Sequence, residues 1–375
     1  MIYLTILLHL YQPKTPEIQN KKVFNKITEE CYYPLSEILK NNGDYTLNLH
    51  ATLMEAFLDE NITKVGDKTI ENLIEAYENG SIDFTDTPKY HLIPDLYPKH
   101  WAELEIVQNR KTNELVGLKR HTKVLRSPEE FSGEKIAEIA KSADDEFIIV
   151  SSFKKSYFTN SEFPIGVDHY NKKLVRMLFR DDYNSNRIAF EKISAKGFLE
   201  GLKNSYYNAY KNQEDVYSLI TLDGETFGHH KKGYYKFLED LNEEVVEYDG
   251  IELVKISDLI KLKQFYTERK MKVIDNSWAG EKDSWLNESD PKIKDYLRFV
   301  NAKIKTVEEN NNREFYEELL FDIQPATSSC GEWHLSARYT SSPVIDISKN
   351  LVRYATKVFR RYDLEEEFII NMIFR

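Results

Sequence analysis

Apolar positions are nearly continuous at the start of the chain. Ile2 to Leu8 forms a run of strand length, and such a run bounded by turn residues predicts a strand buried on both faces. Pro13 and Pro16 then end regular structure, since proline lacks the amide donor that helix and ladder need. From Val23 to Leu39 the period changes: Val23, Ile27, Cys31, Tyr32, Leu35, Ile38 and Leu39 recur at helical spacing, and Asn41-Asn42-Gly43 supplies a stop. Tyr45 to Leu49 alternates as a strand, Thr69 to Tyr77 predicts a helix closed by Gly80, and Ile82 to Phe84 a short strand. Further on, a helix is expected over Trp101 to Leu118, a strand over Phe147 to Val150, a helix over Ala195 to Tyr210, a strand over Val216 to Leu222 and a helix over Tyr234 to Leu241.

Repeated strand, loop and helix units imply an α/β fold, a mainly parallel sheet covered by helices. Functional residues in such sheets stand on loops at the carboxyl ends of the strands. Beyond about residue 265 the strand pattern fades, while Pro291 to Phe321 and Ile345 to Tyr362 read as helices. The expected organisation is a sheet domain over residues 1–265 and a helical C-terminal region over 266–375, with no Gly/Ser/Pro-rich linker between them.

Charge narrows the partners. Fifty-one Lys and Arg against 62 Asp and Glu leave a net charge of −11, a field that repels phosphate backbones and anionic lipid, so neither nucleic acid nor membrane is expected. With 24 Tyr, 20 Phe and 4 Trp the chain carries ample apolar area for a large core. Cys31 and Cys330 are too far apart for a zinc-finger spacing and too few for a disulfide framework, which suits a reducing compartment. The apolar start lacks a basic n-region and a small-residue cleavage site, so a cytoplasmic protein is expected.

Four segments carry candidate chemistry. Leu222-Asp223-Gly224-Glu225-Thr226-Phe227-Gly228-His229-His230 follows an apolar strand and packs two carboxylates and two imidazoles together. The blander alternative is a strand-to-helix turn capped by Asp223 or Thr226. His9-Leu10-Tyr11-Gln12-Pro13 ends the first strand with neutral hydrogen-bonding groups suited to hydroxyls, although a lone strand-end histidine is more often structural. Gly80 to His91 ends another strand with Tyr90 and His91, and Arg126-Ser127-Pro128-Glu129-Glu130-Phe131 follows the apolar pair Val124-Leu125. Singly, either glutamate reads as surface charge. Glu129 and Asp223 together supply the two carboxyl groups that glycoside hydrolysis requires.

These residues, in this order, resemble glycoside hydrolase family 57, whose members act on α-glucans and related α-glycosides with retention. The resemblance rests on His9 to Pro13, on Gly80 to His91, on Ser127-Pro128-Glu129, on Asp223-Gly224-Glu225-Thr226-Phe227-Gly228, which fits most closely, and on Ser328-Ser329-Cys330-Gly331-Glu332-Trp333-His334. Asp83 stands where the family usually has Glu, and Arg126 where it usually has Trp, with Phe131 a substitute wall.

The resemblance implies an incomplete seven-stranded β/α barrel over residues 1–265, with the helical C-terminal region completing the cleft. It implies Glu129 as nucleophile and Asp223 as acid/base, protonated in a desolvated cleft and about 5–5.5 Å from Glu129. His9, Gln12, Tyr90, His91, Glu225, His229, Trp278, Trp333 and His334 would bind substrate, Glu225 by orienting a neighbour or capping, with Tyr11 a further aromatic face. An oligosaccharide or polysaccharide is the expected substrate, with no cofactor and no metal. Trp278-Ala279-Gly280 and Ser284-Trp285-Leu286 would form a lid. Two other readings stay open: a carbohydrate-binding barrel without turnover, and a metal-dependent deacetylase using His9, Asp223 and His229 or His230.

Overall fold

A computed structural model describes residues 1–41, 43–119, 122–152, 165–168, 175–271, 273, 275–280, 300, 313–330 and 342–362. Its strands are β1 (Ile2–Leu10), β2 (Tyr45–Leu49), β3 (Ile82–Phe84), β4 (Val124–Leu125), β5 (Phe147–Ser151), β6 (Ile165–Asp168), β7 (Val175–Arg180), β8 (Val216–Asp223), β9 (Ile251–Leu253) and β10 (Tyr266–Met271). β1 is apolar along its length because it is buried on both faces, with parallel neighbours β2 and β8 on its two sides.

The parallel pairings run β8–β1–β2–β3 and β4–β5–β7, and two weak joints turn them into a ring. β7 meets β8 at the pair Arg180–Leu219, and the extension of β3 meets β4 at the bridge Asp86–Leu125. The result is the incomplete seven-stranded barrel expected. β6 runs antiparallel to β7, and β10 pairs with β6, outside the ring. A strand beyond residue 265 was not expected. β10 borders the ring rather than belonging to it, so its sequence, Tyr-Thr-Glu-Arg-Lys-Met, lacks the apolar run of a barrel strand.

Side chains alternate across a strand with period two, which sorts the barrel interior from its outer face. Leu7, Ile149, Leu178 and Leu219 fill the interior in one buried cluster. His9 and Asp223 lie on that same inner face, two and four positions further on, at the carboxyl mouth. Outward-facing Ile6, Leu8, Leu47 and Ile220 pack under helices in a second cluster. A third joins β5 and β7 to the helix Lys99–Leu115 and to the C-terminal helices Arg313–Ile323 and Ser342–Arg361, through Trp101, Leu319, Ile323, Val352 and Phe359. Among the described residues no helix is long and apolar enough to cross a membrane.

The helix expected over Val23 to Leu39 runs from Lys21 to Asn41 but is interrupted by a π-helical turn over Thr28–Tyr32. That wider turn meets Gly228, where a Cβ would stand 2.2 Å from the Glu30 carbonyl oxygen at φ +154°. Only glycine allows the approach, which brings Tyr32 to the mouth of the barrel.

Candidate active site

Register builds the site. On the ladder His9 is flanked by Asn48 of β2 and Asp223 of β8. His9 Nδ1 lies 2.8 Å from Asn48 Oδ1, and its Nε2 lies 2.9 Å from His91 Nε2. His91 reaches that point from the loop after β3 in a left-handed conformation, φ 65°. His50, one residue past β2, completes a triangle of imidazoles with centroids 4.8 to 5.0 Å apart. Tyr11 stacks on His91 at 4.2 Å, and its hydroxyl lies 2.7 Å from Ser328 Oγ. Burial first, then the Arg126 charge, pushes His50 down to about 3, and burial holds His9 and His91 well below the usual imidazole range.

Glu129 follows β4 on a 3₁₀ turn over Pro128–Glu130. Glu129 and Glu130 both adopt left-handed backbone, φ 59° and 50°, a conformation costing non-glycine residues about 1 kcal/mol or more each. Glu130 anchors the turn: its buried carboxylate lies 3.3 Å from Arg126 Nη2 and 3.3 Å from Arg180 Nε, and it accepts the Thr221 hydroxyl. Neither glutamate is surface charge.

Glu129 Oε2 accepts from Trp278 Nε1 at 2.8 Å, and Ser329 Oγ lies 3.0 Å from Oε1. Burial foremost pushes the Glu129 carboxyl up to about 7, assisted by the charge of Asp223 and opposed by the Trp278 and Ser329 bonds and by Arg126. Asp223, last residue of β8, is exposed. The desolvated acid expected there is therefore not found in the free protein; burial acts instead on Glu129 and Glu225. Glu225 accepts from Gln12 Nε2 at 2.9 Å and from the Tyr32 hydroxyl, and burial with the Asp223 charge pushes it up to about 7.

Other expected residues scatter. His229 turns its Nδ1 to Glu30 Oε1 at 2.6 Å, and burial holds His230 below the usual imidazole range against the pull of Asp223. Tyr90 is only 4% exposed and offers little face to a sugar; its amide donates to Glu105 Oε2 at 3.0 Å. Phe131 is buried with Ile93 against Trp278, so the aromatic beside Glu129 is Trp278. Asp83 is buried on the barrel's far side from the mouth, accepting the Ser257 amide. Trp333, His334 and Trp285 lie outside the described residues.

His50, Asn48, Tyr32 and Ser329 were not expected as site residues. The first had a usable cue, since His50 follows β2 much as His9 ends β1; the rest are brought in by register, the π turn and the C-terminal region.

The metal set weighed from sequence does not assemble. Among the described residues the three potential ligands that come together are His9, His50 and His91, with ring nitrogens within 4.8 Å. Two of those nitrogens already face each other at hydrogen-bond distance.

Seven parallel strands with carboxylates and imidazoles gathered at their carboxyl mouth define a β/α barrel of the enzyme kind. The match is to the model of glycosyl hydrolase family 57, over residues 5–274, and the chain belongs to that family.

A Methanocaldococcus jannaschii protein provisionally described as an alpha-amylase is 24% identical over 323 residues, 78% of this chain and 64% of that one. The chain thus spans just under two thirds of that relative. Two solved structures share the fold at 15% identity. A GH57-type branching enzyme from Pyrococcus horikoshii has a TM-score of 0.74, covering 99% of this chain and 93% of its own. A 4-alpha-glucanotransferase from Thermococcus litoralis has a TM-score of 0.77, covering 96% of this chain and 60% of its own.

Proposed function

We propose that this protein is a retaining glycoside hydrolase or transglycosidase that cleaves α-glycosidic bonds of an α-glucan. The observation that carries the proposal is Glu129: a carboxylate on a strained turn at the barrel mouth, gripped by Trp278 and electrostatically coupled to Asp223. Glu129 attacks the anomeric carbon, while Asp223 protonates the leaving oxygen and then acts as base on water or an acceptor hydroxyl. Asp223 is open to solvent in the free protein, so the substrate itself covers it.

Gln12 and Trp278, which are partly exposed, then line the reacting sugar, while His9 and His91, 6% and 3% exposed, are buried. Residues 1–265 supply the carboxylates, and 266–375 close the cleft through Trp278 and Ser329. Family membership and the relatives' described activities support an oligosaccharide or polysaccharide of glucose as substrate. Two cysteines this far apart in sequence fit a reducing, cytoplasmic setting.

Mass spectrometry of products from maltoheptaose tests the proposal. Wild type gives products, longer than seven sugars if it transfers and shorter if it hydrolyses. Glu129→Gln and Asp223→Asn lose turnover by about 10²–10⁴-fold or more while still binding glucan. Glucan binding without products from any form would refute turnover and leave a binding barrel.

A further inference from the structure

Hydrogens can be counted through the imidazoles behind Glu129, and the count does not close. Arg126 Nη1 donates to Asn48 Oδ1 at 3.3 Å, while Asn48 Nδ2 donates to Thr85 Oγ1 at 2.9 Å and to the Asp86 carbonyl at 3.4 Å. A guanidinium only donates and a carbonyl only accepts, so the Asn48 amide has one orientation. Its oxygen takes the hydrogen of His9 Nδ1 at 2.8 Å. A neutral imidazole carries one N–H, so His9 Nε2 is left as a lone pair.

From the other side the count starts at Glu129. As a carboxylate it only accepts, at Oε2 from Trp278 Nε1 and at Oε1 from Ser329 Oγ at 3.0 Å. One hydroxyl has one hydrogen, so at 2.6 Å Ser329 Oγ accepts from His91 Nδ1. His91 Nε2 is then a second lone pair, and it lies 2.9 Å from His9 Nε2 with no hydrogen to place between them. Only a cation makes that contact attractive.

A proton serves two nitrogens, and here there are three. His50 brings a ring nitrogen within 4.8 Å of the other two. The Thr87 hydroxyl, 3.3 Å from its Nε2, and the Pro88 and Lys89 carbonyls face the ring, yet its buried Nδ1 completes no hydrogen bond among the described residues. The three imidazoles come from separate segments, the end of β1, the residue after β2 and the loop after β3, and all are buried.

Resting on the reading of Glu129 as the attacking carboxylate, we propose that His9, His50 and His91 bind one divalent transition-metal ion of the zinc kind. Neutral imidazoles suit zinc, cobalt, nickel or copper; magnesium and calcium take oxygen ligands. Tetrahedral coordination sets the ligand nitrogens ~3.3 Å apart, so His9 and His91 part slightly and His50 closes in. Arg126, near enough to act on all three rings, is the opposing charge. It is itself paired with Glu130 at 3.3 Å, and Glu129 Oε1 stands 3.8 Å from His91 Nδ1. A metal on His91 Nε2 keeps the hydrogen on Nδ1, which in turn keeps the Ser329 hydrogen on Glu129. The ion thus orients the support of Glu129 without touching the sugar.

Calorimetry tests the site without turnover. Full-length protein stripped with EDTA and titrated with zinc chloride is expected to bind one equivalent, and cobalt(II) in its place to give the intense visible bands of a tetrahedral site. His50→Asn and His91→Asn each weaken zinc about tenfold or more, while His230→Asn leaves it unchanged. Nitrogen-15 NMR of the wild-type rings needs no variant: zinc shifts the Nε2 signals of His9 and His91 and leaves N–H on Nδ1 of both. No zinc bound by the stripped wild type, equal affinity in His50→Asn and His91→Asn, or a hydrogen on Nε2 of either ring that zinc does not displace overturns the proposal. Failure of the underlying reading shows separately, as Glu129→Gln retaining turnover.

Discussion

Glu129 and Glu130 are neighbours of opposite purpose on one strained turn. Glu130 is the carboxylate shared by Arg126 and Arg180, and although Arg180 also pairs with Asp182, replacing Glu130 strips the buried Arg126 guanidinium of that counter-charge. Glu130→Ala is expected to cost about 3–5 kcal/mol in denaturant unfolding. Glu129 holds its place through Trp278, whose ring and N–H are separable. Trp278→Phe keeps the ring and removes the donor to Oε2, and is expected to lower kcat/KM about ten- to a hundredfold, with little change in unfolding midpoint. An unchanged kcat/KM would remove Trp278 from the support of Glu129.

At the scale of elements, the helix Lys99–Leu115 orders two loops with a single side chain. Glu105 accepts the Tyr90 amide at 3.0 Å and the Thr327 hydroxyl at 3.1 Å, tying the loop that bears His91 to the turn that bears Ser328 and Ser329. Burial pushes its carboxyl up to about 8. Folded protein therefore holds this proton between about pH 4.5 and 8, where the unfolded chain has released it, and the stabilisation is lost as pH rises through that window. Glu105→Gln keeps the shape without the titration, so its stability advantage over wild type should grow from pH 5 to pH 8 in urea unfolding.

The elements that were legible are those whose pattern their burial explains. β2 and β3 match the expected spans residue for residue, and β1 and β8 extend theirs by one or two positions. The helix Ala51–Phe57 was missed because six of its seven residues are buried, so it shows no helical period, and no side chain caps it. β7 was missed because Arg176 and Arg180 break its apolar run. Arg180 points to Glu130 inside the mouth, a partner that sequence spacing does not reveal. Glu129, Asp223 and His91 could be read from their places after strands. Ser329 and Asn48 could not, since each acts only through a contact with a distant segment.

For the whole molecule, the buried acids and imidazoles pull stability in opposite directions. Glu105, Glu129 and Glu225 are raised, so each stabilises fully below about pH 4.5 and loses that contribution as pH rises toward 7 or 8. His9, His50 and His91 are lowered, so each stabilises fully above about pH 6.5 and loses it as pH falls. Between about pH 4.5 and 6.5 three slopes oppose three. Urea midpoints should be flattest there and decline on both sides; a steady rise from pH 5 to 8 would contradict the burial of these carboxyls.

The joint between β3 and β4 makes the ring a split collar. β1 and β8 are laced along eight register pairs, whereas the two sides of the split are held by Asp86 N–H to the Val124 carbonyl at 2.8 Å and Arg126 N–H to the Asp86 carbonyl at 2.9 Å. Glu129 hangs three residues beyond that clasp. The amides of Asp86 and Arg126 should therefore exchange with deuterium ahead of those of β1 and β8, and a glucan lying across the split should slow them most, acting as the pin that shuts the clasp beneath Glu129.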